Sequence, residues 1–177
     1  WAQLGDMGDV IRTSRADKIV IDHHIGEDEL NATMYKDYQA EATGHLVVQA
    51  ADALGVPLTR SMSVPLFTAI ATDTGWFRFG SVTSETYRTV ARLIDAGVVP
   101  CEVYGDLYER DSLGRIRLRG LVLSRTKSEI DGTLMHTYVE KEDFEAMGAA
   151  PNDAEDSINL TLAVKGAQAA VIFVGQI

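Results

Sequence analysis

Three residues that could do chemistry stand next to each other near the start of the chain: Asp22, His23 and His24. They follow the β-branched run of residues 18–21, which predicts a short buried strand. In open α/β sheets ligands bind beyond the carboxyl ends of the strands, so the triplet is a candidate site by position. At a strand-to-loop turn one imidazole can bind a metal while the other reaches a substrate. An isolated His-His pair is also common in surface loops, and the triplet alone leaves both interpretations open.

A second candidate is Asp73, which lies at the end of the apolar stretch 63–72. That stretch predicts a helix with Pro65 near its start, where the missing N–H of proline has no cost. Gly75 follows and permits a close backbone approach to a ligand. A carboxylate here suits a hard cation such as manganese, which accepts imidazole and carboxylate ligands together. Taken alone, such an aspartate is more often a helix-end polar group or the start of a turn.

Other polar residues carry weaker expectations. Arg78, in the segment WFRF, could hold a substrate phosphate through its planar guanidinium, but an arginine between aromatic residues is at least as often a packed strand residue. We predict that His45 is a solvent-facing helix residue and that His136 is an ordinary strand residue. Neither histidine enters the candidate site.

The elements that must position these residues alternate between helices and short strands. Helical spacing predicts a helix before residue 18, another over 42–54 that stops before Gly55, and a third that begins at Thr83 or Ser84 and ends at Gly97. The residues predicted to face the core are Leu46, Val47, Ala50 and Leu54 in the second helix and Tyr87, Val90, Ala91 and Ile94 in the third. This alternation indicates an α/β domain with a parallel sheet over residues 1–110.

The charge pattern changes in the segment 110–127, where Asp111 is the only acidic residue. Its six basic residues are Arg110, Arg115, Arg117, Arg119, Arg125 and Lys127. With Leu113, Ile116 and Leu123 at helical spacing, we predict a basic linker helix at 111–128. The helix could follow a single-stranded oligonucleotide, although such a face is more often simply solvated.

A second, smaller α/β unit is predicted over residues 129–177. Its sequence patterns indicate strands at 133–139 and 169–174 and helices at 141–147 and 153–164. The unit is too short to be a complete domain.

Composition limits the class of protein. Of the 177 residues, 46% are hydrophobic and 24% charged, as in an ordinary globular protein. The net charge of −10 excludes a surface that grips nucleic acid as a whole, so a polyanion must meet a local basic patch or bound metal ions. The single Cys101, the absence of a run of about 20 apolar residues and the absence of a visible signal peptide predict a cytoplasmic protein without membrane contact.

Two segments together resemble a known family. The string IVIDHH and, about fifty residues later, ATDTGWFRFGSVTSETYRTVARLIDAG are similar to the third and fourth motifs of the DHH phosphoesterase superfamily. The superfamily includes nanoRNase-type oligoribonucleases, RecJ exonucleases, cyclic dinucleotide phosphodiesterases and family II pyrophosphatases. From about Thr133 the chain resembles the opening of the DHH-associated substrate domain of the nanoRNase branch.

The resemblance implies a role for each candidate residue. His23 and Asp73 would be metal ligands, His24 would contact the scissile phosphate, and Asp22 would orient the histidine pair. It also implies two manganese ions and a mechanism in which a metal-bound water or hydroxide attacks phosphorus. The family's first two motifs, which carry further histidine and aspartate ligands, have no counterpart here, and the glycine-rich end of its substrate domain is also missing. We therefore expect a chain truncated at both ends that binds manganese poorly and is inactive, although its full-length parent is an enzyme.

Several functions fit these observations. The leading one is hydrolysis of short oligoribonucleotides, 3′-phosphoadenosine 5′-phosphate, or both. Alternatives are a cyclic dinucleotide phosphodiesterase, a RecJ-like exonuclease, an exopolyphosphatase-like enzyme, and a nucleotide-binding regulatory module without catalysis. A short single-stranded oligoribonucleotide or a small phosphorylated nucleotide is the expected partner, and a homodimer is one possible assembly. An unrelated α/β domain with a chance DHH triplet would place His23 and Asp73 far apart.

Overall fold

The computed structural model describes residues 4–26, 31–155 and 157–175. The chain forms two compact units that divide between Tyr104 and Gly105. In the first unit the elements are α1 (Met7–Thr13), β1 (Ile19–Asp22), β2 (Thr33–Lys36), α2 (Thr43–Ala53), α3 (Arg60–Asp73), α4 (Ser84–Asp95) and α5 (Pro100–Tyr108). The last of these helices crosses the division between the units.

A two-stranded parallel sheet lies at the start of the first unit. Ile19 of β1 is in register with Thr33 of β2, and Asp22 with Lys36. The α/β class is thus confirmed, but the expectation of a buried strand is wrong, because Ile19 is 71% exposed. In the described part of the chain β1 has a partner strand on one side only. The second strand, a short segment of mixed polarity, was not predicted.

The core of the first unit lies among its later helices. It is formed by Ala42, Val48, Phe67, Ile70, Ala71, Val90, Leu93, Val98 and Val103. The existence of α2 and α4 is confirmed, and a capping box at Thr83 starts α4. Their predicted faces are largely wrong, because Leu54 is 77% and Tyr87 55% exposed. Apolar spacing does not tell which side of a helix meets its neighbour, and the buried side of α4 includes the polar residues Thr86 and Thr89.

Three glycines and a proline show how the helices of the first unit are arranged. A side chain at Gly44 would lie 3.1 Å from Cβ of Ala69, so this glycine lets α2 approach α3 closely. Gly55 and Gly97 follow α2 and α4 with positive φ, as predicted. Pro65 lies inside α3 and not near its start, because the helix already begins at Arg60, after the extended Thr59. The helix therefore lacks one backbone hydrogen bond at that point.

The second unit contains α6 (Leu113–Ser124), β3 (Lys127–Glu129), β4 (Leu134–Val139), α7 (Lys141–Met147), a 3₁₀ turn (Pro151–Ala154), α8 (Ser157–Leu162) and β5 (Ala169–Val174). The sheet has the order β3-β4-β5, with an antiparallel first pair and a parallel second pair. The strands β4 and β5 and the helix α7 match the predicted elements, β3 was not predicted, and the helix expected over 153–164 is a 3₁₀ turn and a short helix.

The segment predicted as a linker helix lies within the second unit. Leu118 and Val122 of α6 are fully buried and pack with Val139, Phe144 and Ala154. The apolar residues whose spacing predicted the helix are more exposed than these: Leu113, Ile116 and Leu123. Gly114 permits the close approach of α6, because a side chain there would lie 2.0 Å from the carbonyl oxygen of Gly148. None of the helices in the described ranges has the length and apolarity that a membrane span requires.

Candidate active site

The end of β1 and the end of α3 bring His23 and Asp73 together. Nε2 of His23 lies 3.0 Å from Oδ2 of Asp73, and the two side chains are 15% and 42% exposed. Fifty residues of sequence separate them, so the fold creates the contact. Their proximity argues against a chance DHH triplet, for which we expected the two side chains to be far apart.

The ring of His23 is held in one orientation by a backbone carbonyl. Its Nδ1 lies 3.0 Å from the carbonyl oxygen of Ala40, in the loop before α2. A carbonyl can only accept a hydrogen bond, so Nδ1 carries a proton, and in the neutral ring Nε2 presents a lone pair toward Asp73. Nε2 is buried and accepts no hydrogen bond in the described structure.

The pair of facing acceptors fits a cation. An imidazole lone pair and a carboxylate oxygen repel each other unless a proton or a metal ion lies between them. Two neighbouring ligands of an octahedral ion, each at about 2.1 Å, are themselves about 3 Å apart. The residues present therefore fit a metal site, but no group of three His, Cys, Asp or Glu side chains at metal-binding spacing occurs among the described residues.

Asp22 forms a separate polar cluster with His24 and Lys36. Its Oδ1 accepts from the ring Nδ1 of His24 at 2.8 Å and from the backbone N–H of His24 at 3.2 Å. Its Oδ2 lies 3.2 Å from Nζ of Lys36. Burial alone would raise the pKa of Asp22, but the hydrogen bonds from His24 and the Lys36 ammonium outweigh it and hold the pKa well below the ordinary value. Asp22 is therefore an ionised acceptor.

This cluster changes the role expected for Asp22. The aspartate contacts His24, whereas the ring of His23 is held by Ala40. The His24 side chain is 65% exposed, and its ring meets that of His23 edge-on at 4.4 Å. One histidine of the pair thus points inward to Asp73 and the other is open to a ligand, as a strand-to-loop turn allows.

A left-handed turn follows Asp73 and was missed from the sequence. Gly75, Trp76 and Phe77 have φ values of +55°, +58° and +63°. Positive φ is ordinary for glycine but costs about 1–2 kcal/mol for each bulky residue. Only Gly75 could have signalled this turn, because aromatic residues are not expected in the left-handed region.

Thr74 and the adjacent core hold this turn in place. Thr74 is fully buried, and its hydroxyl donates to the carbonyl of Ile70 at 2.7 Å while it accepts from the backbone N–H of Phe77 at 3.1 Å. The rings of Trp76 and Phe77 pack against Phe67 at 5.9 and 6.0 Å. Because α3 runs without interruption into this packed turn, the backbone of Asp73 is fixed from both sides.

Arg78 lies in the same turn and not in a strand. Its Nε donates to the carbonyl of Gly75 at 2.7 Å, and the side chain is otherwise exposed. The guanidinium is therefore anchored by one nitrogen near Asp73, with its outer face open.

Two other features take no part in the contact between His23 and Asp73. A cavity of about 700 Å³, lined by residues that include Arg15 and Lys18, lies at the opposite ends of β1 and β2. His45 is not solvent-facing as we expected, because its Nδ1 is paired at 2.8 Å with the buried Glu41. Their i, i+4 spacing across the start of α2 brings the two side chains together.

Comparisons with known proteins agree with this fold and site. No protein-family model matches the chain. It is 32% identical over 153 residues to the bifunctional oligoribonuclease and PAP phosphatase NrnA of Thermus thermophilus, covering 86% of the chain and 45% of that protein. It is 24% identical over 164 residues to the protein of the same name from Bacillus subtilis, covering 91% and 52%. The chain thus spans about half the length of these curated relatives.

Among solved structures, the crystal structure of an exopolyphosphatase-related protein from Bacteroides fragilis is similar. The TM-score is 0.89 at 26% identity, over 94% of this chain and 49% of that one. The fold is that of an α/β protein, and the chain is similar over most of its length to proteins named as phosphoesterases. These relatives support the DHH phosphoesterase superfamily, and within it the nanoRNase branch.

Proposed function

We propose that the protein is a metal-dependent phosphoesterase that hydrolyses short oligoribonucleotides and 3′-phosphoadenosine 5′-phosphate. The observation that carries the proposal is the 3.0 Å distance between Nε2 of His23 and Oδ2 of Asp73, which is the spacing of two neighbouring ligands of one metal ion. The names of the two curated relatives support the substrates. We further propose a cytoplasmic location, with a homodimer as one possible assembly.

His23 and Asp73 would hold a divalent ion, with manganese as the first choice and further ligands from outside this pair. Two such ions, when bound, would activate a water molecule and neutralise charge on the phosphate. Ala40 keeps the lone pair of His23 aimed at that position. The ring of His24, with Nδ1 fixed on Asp22, presents Nε2 to the substrate and in its protonated form can donate to a phosphate oxygen.

Arg78 would bind a second phosphate oxygen. Its anchored Nε leaves both terminal nitrogens available, and a guanidinium binds phosphate through such a pair of donors. An exopolyphosphatase-like activity is a second candidate, favoured by the name of the structural relative. Polyphosphate presents the same repeated anion to a metal site.

The proposal is tested in the full-length protein with manganese. A short RNA, 3′-phosphoadenosine 5′-phosphate, a cyclic dinucleotide and polyphosphate would be compared as substrates. We expect turnover of the first two, and a loss of about 100-fold or more in kcat/KM for His23→Ala and for Asp73→Ala, since outer-shell changes alone cost 10–100-fold.

Two matched controls distinguish site loss from general damage. Asp95 ends α4 as Asp73 ends α3, and His136 is a histidine of the second unit. Asp95→Ala and His136→Ala should retain turnover. Unchanged turnover in the His23 or Asp73 variants would refute the assigned roles, and preferential turnover of polyphosphate would favour the second candidate.

A further inference from the structure

Phe79 differs from the other aromatic residues of the turn after Asp73. The rings of Trp76 and Phe77 pack against the core, whereas Phe79 is 54% exposed. Burial therefore does not explain why a large apolar ring lies at this place. Exposed aromatic side chains beside a polar site are often used for ligand contacts.

The ring of Phe79 is nevertheless fixed in position. A side chain at Gly75 would lie 2.5 Å from Cζ and 2.6 Å from Cε1 of Phe79, so one side of the ring lies directly on the glycine backbone. The backbone N–H of Phe79 donates to the carbonyl of Thr74 at 3.1 Å. A ring that is supported on one side and open elsewhere needs little ordering when it binds a planar ligand.

The turn presents this ring close to the candidate phosphate site. Gly75 is two residues from Asp73, so their Cα atoms are at most about 7.6 Å apart. The guanidinium of Arg78 is also anchored on Gly75. One short segment thus carries a metal-ligating carboxylate, a guanidinium and an exposed aromatic ring, which are the groups that a nucleotide phosphate and its base require.

We propose that Phe79 is a stacking platform for the base of the nucleotide whose phosphate lies at His23 and Asp73. The inference rests on the proposed function and assigns it a base-binding subsite. Stacking is tolerant of sequence because every base has a π-face. The subsite therefore suits both an oligoribonucleotide of mixed sequence and an adenine nucleotide.

The test compares Phe79→Leu with wild type in the full-length protein, on a trinucleotide and on an abasic trinucleotide of equal phosphate content. We expect KM for the normal trinucleotide to rise about fivefold or more with kcat nearly unchanged, because stacking acts equally in the ground and transition states. The abasic substrate should show no change, and Phe79→Trp should restore the wild-type KM. Tyr87→Leu is the matched control, since Tyr87 is 55% exposed in the same unit and its ring packs on Phe77.

Binding measurements separate this inference from the proposed function. A non-hydrolysable phosphorothioate trinucleotide would be titrated calorimetrically into wild type and Phe79→Leu. Binding by wild type that weakens in the variant, without turnover, supports the platform and refutes the phosphoesterase. Equal losses on the normal and abasic ligands, equal losses in Tyr87→Leu, or no binding by wild type would each overturn the platform.

Discussion

Two aspartates in this molecule, Asp143 and Asp73, are held in opposite ways. In the second unit, Asp143 accepts from both terminal nitrogens of Arg125, one of them at 3.0 Å, and from the backbone N–H of Glu140 at 2.7 Å. In the first unit, Asp73 faces Nε2 of His23 and has no Lys or Arg partner among the described residues. The first carboxylate is paired with a permanently charged guanidinium, and the second is paired with an imidazole.

This difference separates structural from functional polar groups. A carboxylate that holds a guanidinium through both oxygens stabilises the fold, whereas one that faces an imidazole nitrogen can share a metal ion with it. The same criterion applies to the basic segment, where Arg115 and Arg119 both pair with Asp111. Both guanidiniums are paired within the second unit, which favours a structural role for the segment over oligonucleotide binding.

The largest effect on stability is expected from a variant that breaks the pair of Asp143 and Arg125. Asp143→Ala leaves a guanidinium that is only 22% exposed without its carboxylate and frees the N–H of Glu140. We expect the free energy of unfolding to fall by about 2–4 kcal/mol, measured by urea denaturation. Asp106→Ala, which breaks an exposed Arg–Asp pair in the same unit, should change it by less than about 1 kcal/mol. Equal effects of the two variants would show that the Asp143 pair stabilises the fold no more than an exposed pair does.

The same pair predicts a pH dependence. The hydrogen bonds from Arg125, opposed by burial, hold the pKa of Asp143 below its ordinary value of 3.8. Because the folded pKa is the lower one, the contribution of the carboxylate is complete above pH 3.8 and is lost as the pH falls below it. The stability difference between wild type and Asp143→Ala should therefore be constant near neutral pH and shrink in acid. A difference that grew in acid would contradict this assignment.

A smaller effect is expected at the turn that fixes Asp73. Gly75→Ala adds a Cβ at φ +55° and within 2.5 Å of the Phe79 ring, so both backbone and ring must shift. We expect a loss of about 1–3 kcal/mol in the free energy of unfolding. Gly80→Ala is the control in the same turn, because no atom lies within 4 Å of a Cβ there. A Gly75 variant as stable as the Gly80 variant would show that the turn is not held against Asp73.

The parts of this site that act through side chains could be predicted from sequence, and the parts that depend on the backbone or on tertiary packing could not. Asp22, His23, His24 and Asp73 carry functional side chains in recognisable motifs, and their positions at a strand end and a helix end followed from local patterns. Ala40 acts through its carbonyl, which every residue has, so no residue type marks it. The left-handed conformations of Trp76 and Phe77 run against local preference and are maintained by tertiary packing with Phe67.

In the fold, too, local features could be predicted from sequence and long-range contacts could not. The bounds of α7 and β5 follow from local patterns alone, and these elements were predicted within a residue. The faces of α2 and α4 were not, because burial depends on the neighbouring helix and Gly44 brings α3 to a different stripe. The strand β2 also escaped prediction, since its pairing with β1 is a long-range property.

The smallest expected effect concerns the 177-residue chain itself. His23 and Asp73 are two ligands, and an octahedral ion needs six. If manganese binds this pair with a Kd of about 1 mM, then 1 mM manganese stabilises the fold by about 0.4 kcal/mol, which raises Tm by about 1–2 °C. Calorimetric titration and thermal denaturation of the chain, with its His23→Ala variant as control, measure this directly. Tight stoichiometric binding would show that Asp73 belongs to a complete metal site. The contrast with Asp143 would then be between a carboxylate held by a metal ion and one held by a guanidinium.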